Sequence, residues 1–313
     1  VQESSGVWLH RHYSTGEFAP SWGLVQIDET GAILWGIHEH YSFTESRDFL
    51  SGIWESIERG AAYLCGSIDG ETGLPMPSVE LWEENTCESV YSAASVAGGL
   101  EAAAKCADLL AHNANSQEWN RVADRIRRAI PEKLWNKKRK AFSRSIKRVV
   151  SEETFAKHLR DKSSGFYIDA PENSLYPIFY QAEDTTIDSS LLGLVFPFHV
   201  LDARDDKMRR SALAARKHLW WKKTGGLFRY EGDVYVGGNP WILTTLWLAI
   251  YHIEAGEPSR AVELIKWAAD HATESGLLTE QVDKKTGKPL WAIPLGWSHA
   301  MFVIASLMLT NRK

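Results

Sequence analysis

The sequence predicts an all-α fold in which helix hairpins close into an α/α toroid, an inner ring of helices wrapped by an outer one. Three observations predict it. Apolar residues recur at helical spacing in many segments, connections alternate between short and long, and the long ones are rich in glycine, proline and aromatics. Ile33, Leu34 and Ile37 mark an early helix, and Phe49, Leu50, Ile53 and Ile57 mark the next. Asn85 or Thr86 can cap an Ala-rich helix that runs through Leu110. Ile242, Leu243, Leu246 and Ile250 mark a later one, closed by Gly256, with Pro258 in the first turn of its successor. That successor carries Val262, Ile265 and Ala269, and Met301, Ile304 and Met308 mark the last helix, so about nine are expected. Strand signal is confined to short pieces such as Ala141 to Ile146 and Leu227 to Tyr230. The basic stretch from Lys133 to Lys147 reads as a solvated helix end running into a loop.

Four connections are long: Gly66 to Glu84, Ser163 to Glu183, Trp220 to Gly238 and Gly276 to Pro294. Long ordered loops in a compact domain usually carry function, and gathered at one end of a toroid they would build a funnel. An α-solenoid would have repeats of regular length, which these are not. Neither a linker nor a near-identical repeat interrupts the chain, so residues 1–313 are read as one domain.

Composition narrows the function. The formal charge is −5 and basic residues are scattered, so no single-sign patch is available to a phosphate backbone and nucleic acid is not an expected partner. No apolar run reaches the roughly 18 residues of a bilayer span, the longest candidate being Trp241 to Ile253; a soluble protein without a membrane partner is expected. Three cysteines without CxxC spacing argue against a disulfide framework or a zinc site and point to a reducing, cytoplasmic compartment. No signal peptide is visible, and secretion stays open if sequence precedes Val1. His38 and His40 lie two apart on a helix and so point away from each other, and no metal site is expected. The fourteen Trp suit stacking on sugar rings or a Trp-rich core.

Two sets of carboxylates stand where long loops meet helices. Leu81-Trp82-Glu83-Glu84 follows the loop from Gly70 to Pro75 and is expected to lead straight into a helix. Adjacent acids there have an ordinary role in complementing the helix dipole. A Trp beside one of them adds another, because an apolar wall disfavours the charged form and raises proton affinity. The second set, Leu278-Thr279-Glu280-Gln281-Val282-Asp283, precedes the helix entry Pro294-Leu295-Gly296-Trp297-Ser298-His299. Glycoside hydrolysis needs one carboxylic acid to protonate the leaving oxygen and one carboxylate to activate water or attack carbon, which two loops on one rim can supply.

These segments resemble the glucoamylase family, glycoside hydrolase family 15, whose catalytic domain is an (α/α)6 barrel. Ser21-Trp22-Gly23 with Gln26 and Asp28 is similar to its substrate wall, and Leu81-Trp82-Glu83-Glu84 to its general-acid segment. Arg229-Tyr230 with Asp233, then Gly238-Asn239-Pro240-Trp241, is similar to its sugar clamp and inner helix. Thr279-Glu280-Gln281 with Pro294-Leu295-Gly296-Trp297-Ser298 is similar to its general-base segment, and all four fall in the family's order. The resemblance implies Glu83 as general acid, Glu280 as general base and Glu84 as a ligand of a sugar hydroxyl. It implies Arg229 as a bidentate donor to hydroxyls, and Trp22, Trp82 and Trp297 as subsite walls. Core packing is the alternative for each Trp, and a salt bridge to Asp233 the alternative for Arg229.

The implied activity is an exo-acting, inverting hydrolysis that releases β-glucose from the non-reducing end of α-glucans without metal or other cofactor. Glucodextranase and trehalase are rivals within the family. A non-catalytic glucoamylase-like domain, as in the regulatory subunits of phosphorylase kinase, would be expected to lose its carboxylates. Oligomeric state is not legible. One family element, Trp-x-Arg-Asp on the first barrel helices, has no counterpart; Ser46-Arg47-Asp48 is the nearest string and is read as the surface of a helix interior. The expectation is therefore a barrel lacking its first helices, with the natural polypeptide continuing upstream of Val1 and this piece inactive alone.

Overall fold

The structure, a computed structural model, describes residues 2–17, 19, 25–161, 164–170 and 175–311. The chain packs as two compact units, Val1–Trp135 with Ser143–Asp184, and Asn136–Phe142 with Thr185–Lys313. Among the described residues there are ten α-helices. Two of them, Arg47–Gly52 and Trp54–Gly66, come from the single apolar run Phe49 to Ile57, which breaks at Ile53. Ser46-Arg47-Asp48 lies at a helix start rather than in an interior: the Ser46 hydroxyl caps by accepting from the Phe49 N–H.

The first unit is organised round the helix Val90–Leu109, whose residues from Val90 through Leu100 are all buried. Small and apolar on every side, it belongs in an interior. It packs against Ile27–Thr44 and Asn113–Lys133. The last of these is amphipathic, burying Trp119, Val122, Ile126 and Ile130 at helical spacing. At the crossing with Ile27–Thr44 the backbones nearly touch. A Cβ on Gly99 would lie 2.4 Å from the Gly31 carbonyl oxygen, and one on Gly31 would lie 2.5 Å from that of Ser95. Across the same crossing the Ser95 hydroxyl donates to the Asp28 carbonyl at 2.6 Å.

The expected helix entry after Glu84 is not found. Strand Thr86–Ser89 intervenes, and the cap of Val90–Leu109 is Ser89, whose hydroxyl accepts from the Ser92 N–H at 2.9 Å. Thr86 and its neighbours are engaged in pairing with Val79 and Ser78, so they are not available as caps. The strand is one of five in an antiparallel sheet, in the order Ser78–Val79, Thr86–Ser89, Ser145–Val150, Ile178–Asp184, Phe166–Asp169. The stretch from Ser163 to Glu183, read as a loop, thus holds most of two strands. Their pairing is non-local, with Ile146 opposite both Glu88 and Glu183, and short half-exposed strands leave only a faint period.

In the second unit the helix Ile242–Glu254 is buried throughout except Glu254, and packs against Pro258–Asp270 and Gly296–Thr310. The predicted punctuation between the first two is found: Gly256 adopts φ +79° and Pro258 opens the next helix. Leu227 to Tyr230, read as a strand, makes only isolated bridges, Leu227 to Trp220 and Trp241, and Tyr230 to Asp188. Helix Gly296–Thr310 fully buries Ser298 and Ala305 alone, leaving Val303 and Leu307 about half exposed.

The glycine crossing gives a paired expectation. Gly99→Ala forces Cβ into the Gly31 backbone and costs about 1–3 kcal/mol of stability. Gly36→Ala, where nothing lies within 4 Å, should instead gain about 0.5–1 kcal/mol by restricting the unfolded chain. Urea denaturation of both variants checks this, and equal responses would contradict the close approach.

Candidate active site

In the first unit the predicted acids sit at the tip of a β-hairpin. Val79 pairs with Thr86, the Glu80 N–H donates to the Asn85 carbonyl at 3.0 Å, and Leu81 to Glu84 form the turn. Glu83 is exposed and adopts φ +62°, a left-handed conformation that a residue with a Cβ holds only when its surroundings impose it. What imposes it is Glu80, which sequence reasoning missed. Its carboxylate is 3% exposed and accepts from the Trp82 N–H at 2.8 Å, the Glu84 N–H at 3.3 Å and the Arg144 Nη2 at 3.0 Å. Its carbonyl accepts from the Glu83 N–H at 2.8 Å. Arg144, itself buried, also reaches the Glu84 Oε2 at 3.4 Å, and the exposed Arg11 reaches the Glu83 Oε2 at 3.3 Å. Trp82 turns inward and is 7% exposed, the core-like placement weighed as its alternative. Trp22, with the segment Ser21-Trp22-Gly23, lies outside the described residues.

Two further carboxyls stand near this turn. Burial, opposed by a backbone hydrogen bond and reinforced by the charge of Glu80, pushes Asp28 up to about 7. Burial, then the charges of Asp28 and Glu83, push Glu29 up to about 8 against the opposing Arg11. Asp28 belongs to the segment compared with a substrate wall; Glu29, its neighbour, was not singled out.

In the second unit Arg229 is buried and clasps Asp233 in a bidentate pair, Nε to Oδ2 at 2.9 Å and Nη2 to Oδ1 at 2.8 Å. The carboxylate that answers this guanidinium is thus the one weighed as the alternative to a sugar. Its plane is walled by aromatics, with Tyr235 at 4.8 Å and Trp241 at 5.0 Å from Cζ to ring centroid. Glu280 lies within the field of this pair. Burial raises its proton affinity above the ordinary carboxylate range, a hydrogen bond from Gln281 and the charge of Arg229 oppose that, and Asp233 adds to it. Its backbone is fixed on both sides: its N–H donates to the Ala292 carbonyl at 3.2 Å, and its carbonyl accepts from the Ile242 N–H at 3.2 Å. Gln281, fully buried, is held by the Asn239 Nδ2 at 3.0 Å.

Trp297 is 37% exposed and meets Trp247 edge-on at 5.5 Å, while its neighbour Ser298 donates to the Thr279 carbonyl at 2.9 Å. Two aromatics were missed. Trp291, 51% exposed at φ +58°, donates its indole N–H to the Tyr235 hydroxyl at 3.0 Å, and Tyr235 is 40% exposed. Only the aromatic richness of the long loops hinted at them. Among the described residues no three of His, Cys, Asp and Glu are grouped to hold a metal ion, and no helix is long and apolar enough to cross a membrane.

The model of glycosyl hydrolases family 15 matches residues 1–266 and 258–307. An uncharacterized glycosyl hydrolase of Methanocaldococcus jannaschii is 31% identical over 317 residues, which cover 97% of this chain and 45% of that protein. The chain therefore spans less than half the length of this relative. An isomaltose glucohydrolase of Kribbella flavida is 34% identical over 131 residues, 38% of this chain and 34% of that protein. A bacterial glucoamylase solved in complex with acarbose superposes with a TM-score of 0.73 at 20% identity, covering 98% of this chain and 44% of that one. The likeness shows the fold to be of the glucoamylase, (α/α)6 class.

Two outcomes follow from the charges. Glu80→Ala leaves Arg144 buried without its nearest carboxylate and should cost about 3–5 kcal/mol, read by urea denaturation; a cost below 1 kcal/mol would refute its organising role. Asp28, with a folded-state value of about 7 against an ordinary 3.8, favours the folded state while protonated in it. That contribution is full below about pH 4 and is lost as pH rises through about 7. Asp28→Asn should therefore flatten the fall of the denaturation midpoint between those pH values, whereas an unchanged slope would exclude Asp28 as its source.

Proposed function

The chain belongs to glycosyl hydrolases family 15, and from there we propose that it carries the acid and base of an exo-acting, inverting glucosidase. Glu83 protonates the glycosidic oxygen, and Glu280 takes a proton from the water that attacks the anomeric carbon on the opposite face. The carbon–oxygen bond to the leaving sugar breaks as the bond to water forms. The products are a free hydroxyl on the shortened glucan and β-glucose, and the proton gained by Glu280 returns through solvent to Glu83. The substrate class is an α-glucan or α-glucoside, a reading supported by the isomaltose glucohydrolase and the glucoamylase among the similar proteins.

The observation that carries this reading is the setting of Glu280. A base must hold a proton more firmly than an ordinary surface carboxylate, and burial supplies that here. Arg229 and Asp233 neutralise each other, so the polarity beside Glu280 is fixed without an uncompensated charge. Exposed Trp291, Tyr235 and Trp297 offer aromatic faces of the kind on which pyranose C–H groups stack. Glu84, already turned to Arg144, is assigned a hydroxyl of the bound sugar as its further acceptor.

Assays on maltose, isomaltose and trehalose that resolve the anomer of the released glucose test the reading. Glu280→Gln should retain sugar binding and lose about 10²–10⁴-fold in turnover, because an amide cannot accept the proton from water. Glu83→Gln should recover much of its loss on glucosyl fluoride, whose leaving group needs little protonation. Recovery in Glu84→Gln in place of Glu83→Gln would move the acid role by one residue, and initial release of the non-reducing-end glucose of maltose or isomaltose as the α-anomer would exclude inversion.

A further inference from the structure

Within the second unit a cavity of ≈ 670 Å³ opens between two helices that present the same spacing to it. From Asp206–Leu219 come Arg209, Leu213 and Arg216, followed by Trp220; from Pro258–Asp270 come Arg260, Glu263 and Trp267. Positions three, four and seven apart share a helix face, so the two faces look into one groove. Its volume falls in the range of small-molecule sites. Buried Tyr251 and His252 of Ile242–Glu254 complete the lining. Neither Glu280 nor Arg229 contributes to it.

Three arginines, Arg209, Arg216 and Arg260, share this groove with two carboxylates, Glu257 and Glu263, which leaves one cation in excess. Glu257 is shared between His252, at 2.7 Å, and Arg260, at 3.0 Å. The Arg216 Cζ lies over the Trp220 ring, 3.6 Å from its centroid, and neither Arg216 nor Arg209 forms an ion pair within 4 Å among the described residues. Burial keeps His252 towards its neutral form, though Glu257 opposes it, so the histidine does not answer Glu257 as a full cation. Partial burial draws Arg216 below the usual guanidinium range, the nearby Glu263 opposes that, and the like charge of Arg260 adds a smaller push in the same direction as burial. A bound anion would answer the one cation in excess, and a planar guanidinium held over an indole is preorganised to grip oxygens two at a time.

We propose that this groove binds a phosphoryl group, held by Arg209 and Arg216, with the indoles of Trp220 and Trp267 beside whatever the phosphate carries. The site is independent of the proposed hydrolysis.

Isothermal titration of the chain with inorganic phosphate, glucose 6-phosphate and glucose at constant ionic strength tests it. Saturable binding of both phosphates is expected, weakened at least about tenfold in Arg209→Gln and in Arg216→Gln. Arg210→Gln, on the same helix but paired with Asp206 and outside the groove, should change affinity less than about twofold. Tighter binding of glucose 6-phosphate than of phosphate would assign the groove to a phosphorylated sugar; equal affinity would assign it to the free ion. Arg209 and Arg216 are both exposed, and Arg209 stacks on no ring among the described residues, so its variant decides the matter even if Arg216→Gln lowers the thermal midpoint. Absence of saturable phosphate binding, or equal weakening by Arg210→Gln, would overturn the proposal.

Discussion

A carboxylate buried at Glu80 obliges its surroundings to be donors. Removed from water, it is stable only while every oxygen is answered, and the groups that answer it are the Arg144 guanidinium and the N–H groups of Trp82 and Glu84. Meeting that demand dictates the path of the turn. The backbone of Trp82 must point its N–H inward, the indole goes with it, and Glu83 is left at the tip in a left-handed conformation. The exposure of one acid is therefore a consequence of the burial of another three residues before it. Arg144 stands immediately before strand Ser145–Val150, which pairs with Thr86–Ser89, so the sheet sets the guanidinium where the turn needs it.

The second unit solves a similar problem differently. Arg229 and Asp233 neutralise each other in a bidentate pair, and Tyr235 and Trp241 shield it. Glu280 is left with neutral hydrogen bonding from Gln281 and with burial as the dominant influence on its proton affinity. Burial is sustained by backbone bonds that tie residues 278–282 to the entry of Ile242–Glu254 and to the start of Gly296–Thr310.

Helices were legible wherever local chemistry decides them. The buried run Ile242 to Ile253 and the Gly256/Pro258 punctuation are properties of a dozen neighbouring residues, and periodicity reads them well. Of the sheet of the first unit only the start of Ser145–Val150 was legible, within the piece Ala141 to Ile146 read as strand, because Phe166–Asp169 and Ile178–Asp184 owe their state to partners elsewhere in the chain. The error over the helix cap has the same origin, since Thr86 is claimed by a strand before a helix can use it. The candidate acids and the Arg229–Asp233 alternative stood out by type and order. Glu80, Tyr235 and Trp291 did not, because their roles depend on burial and exposure, which one sequence does not display.

The hairpin that carries Glu83 and the segment that carries Glu280 differ in how they can change over time. Backbone and side-chain hydrogen bonds among residues 80–85 shape the hairpin tip, while Arg144 and Arg11 reach it from elsewhere in the first unit. Glu280 instead draws on three separated segments, and drift in any of them is felt by the others. Trp291 and Tyr235 sit at the edge of that assembly and hold each other by a single side-chain bond. Substitution at these two exposed aromatics can thus reshape the surface they form while the backbone bonds that hold Glu280 stay in place.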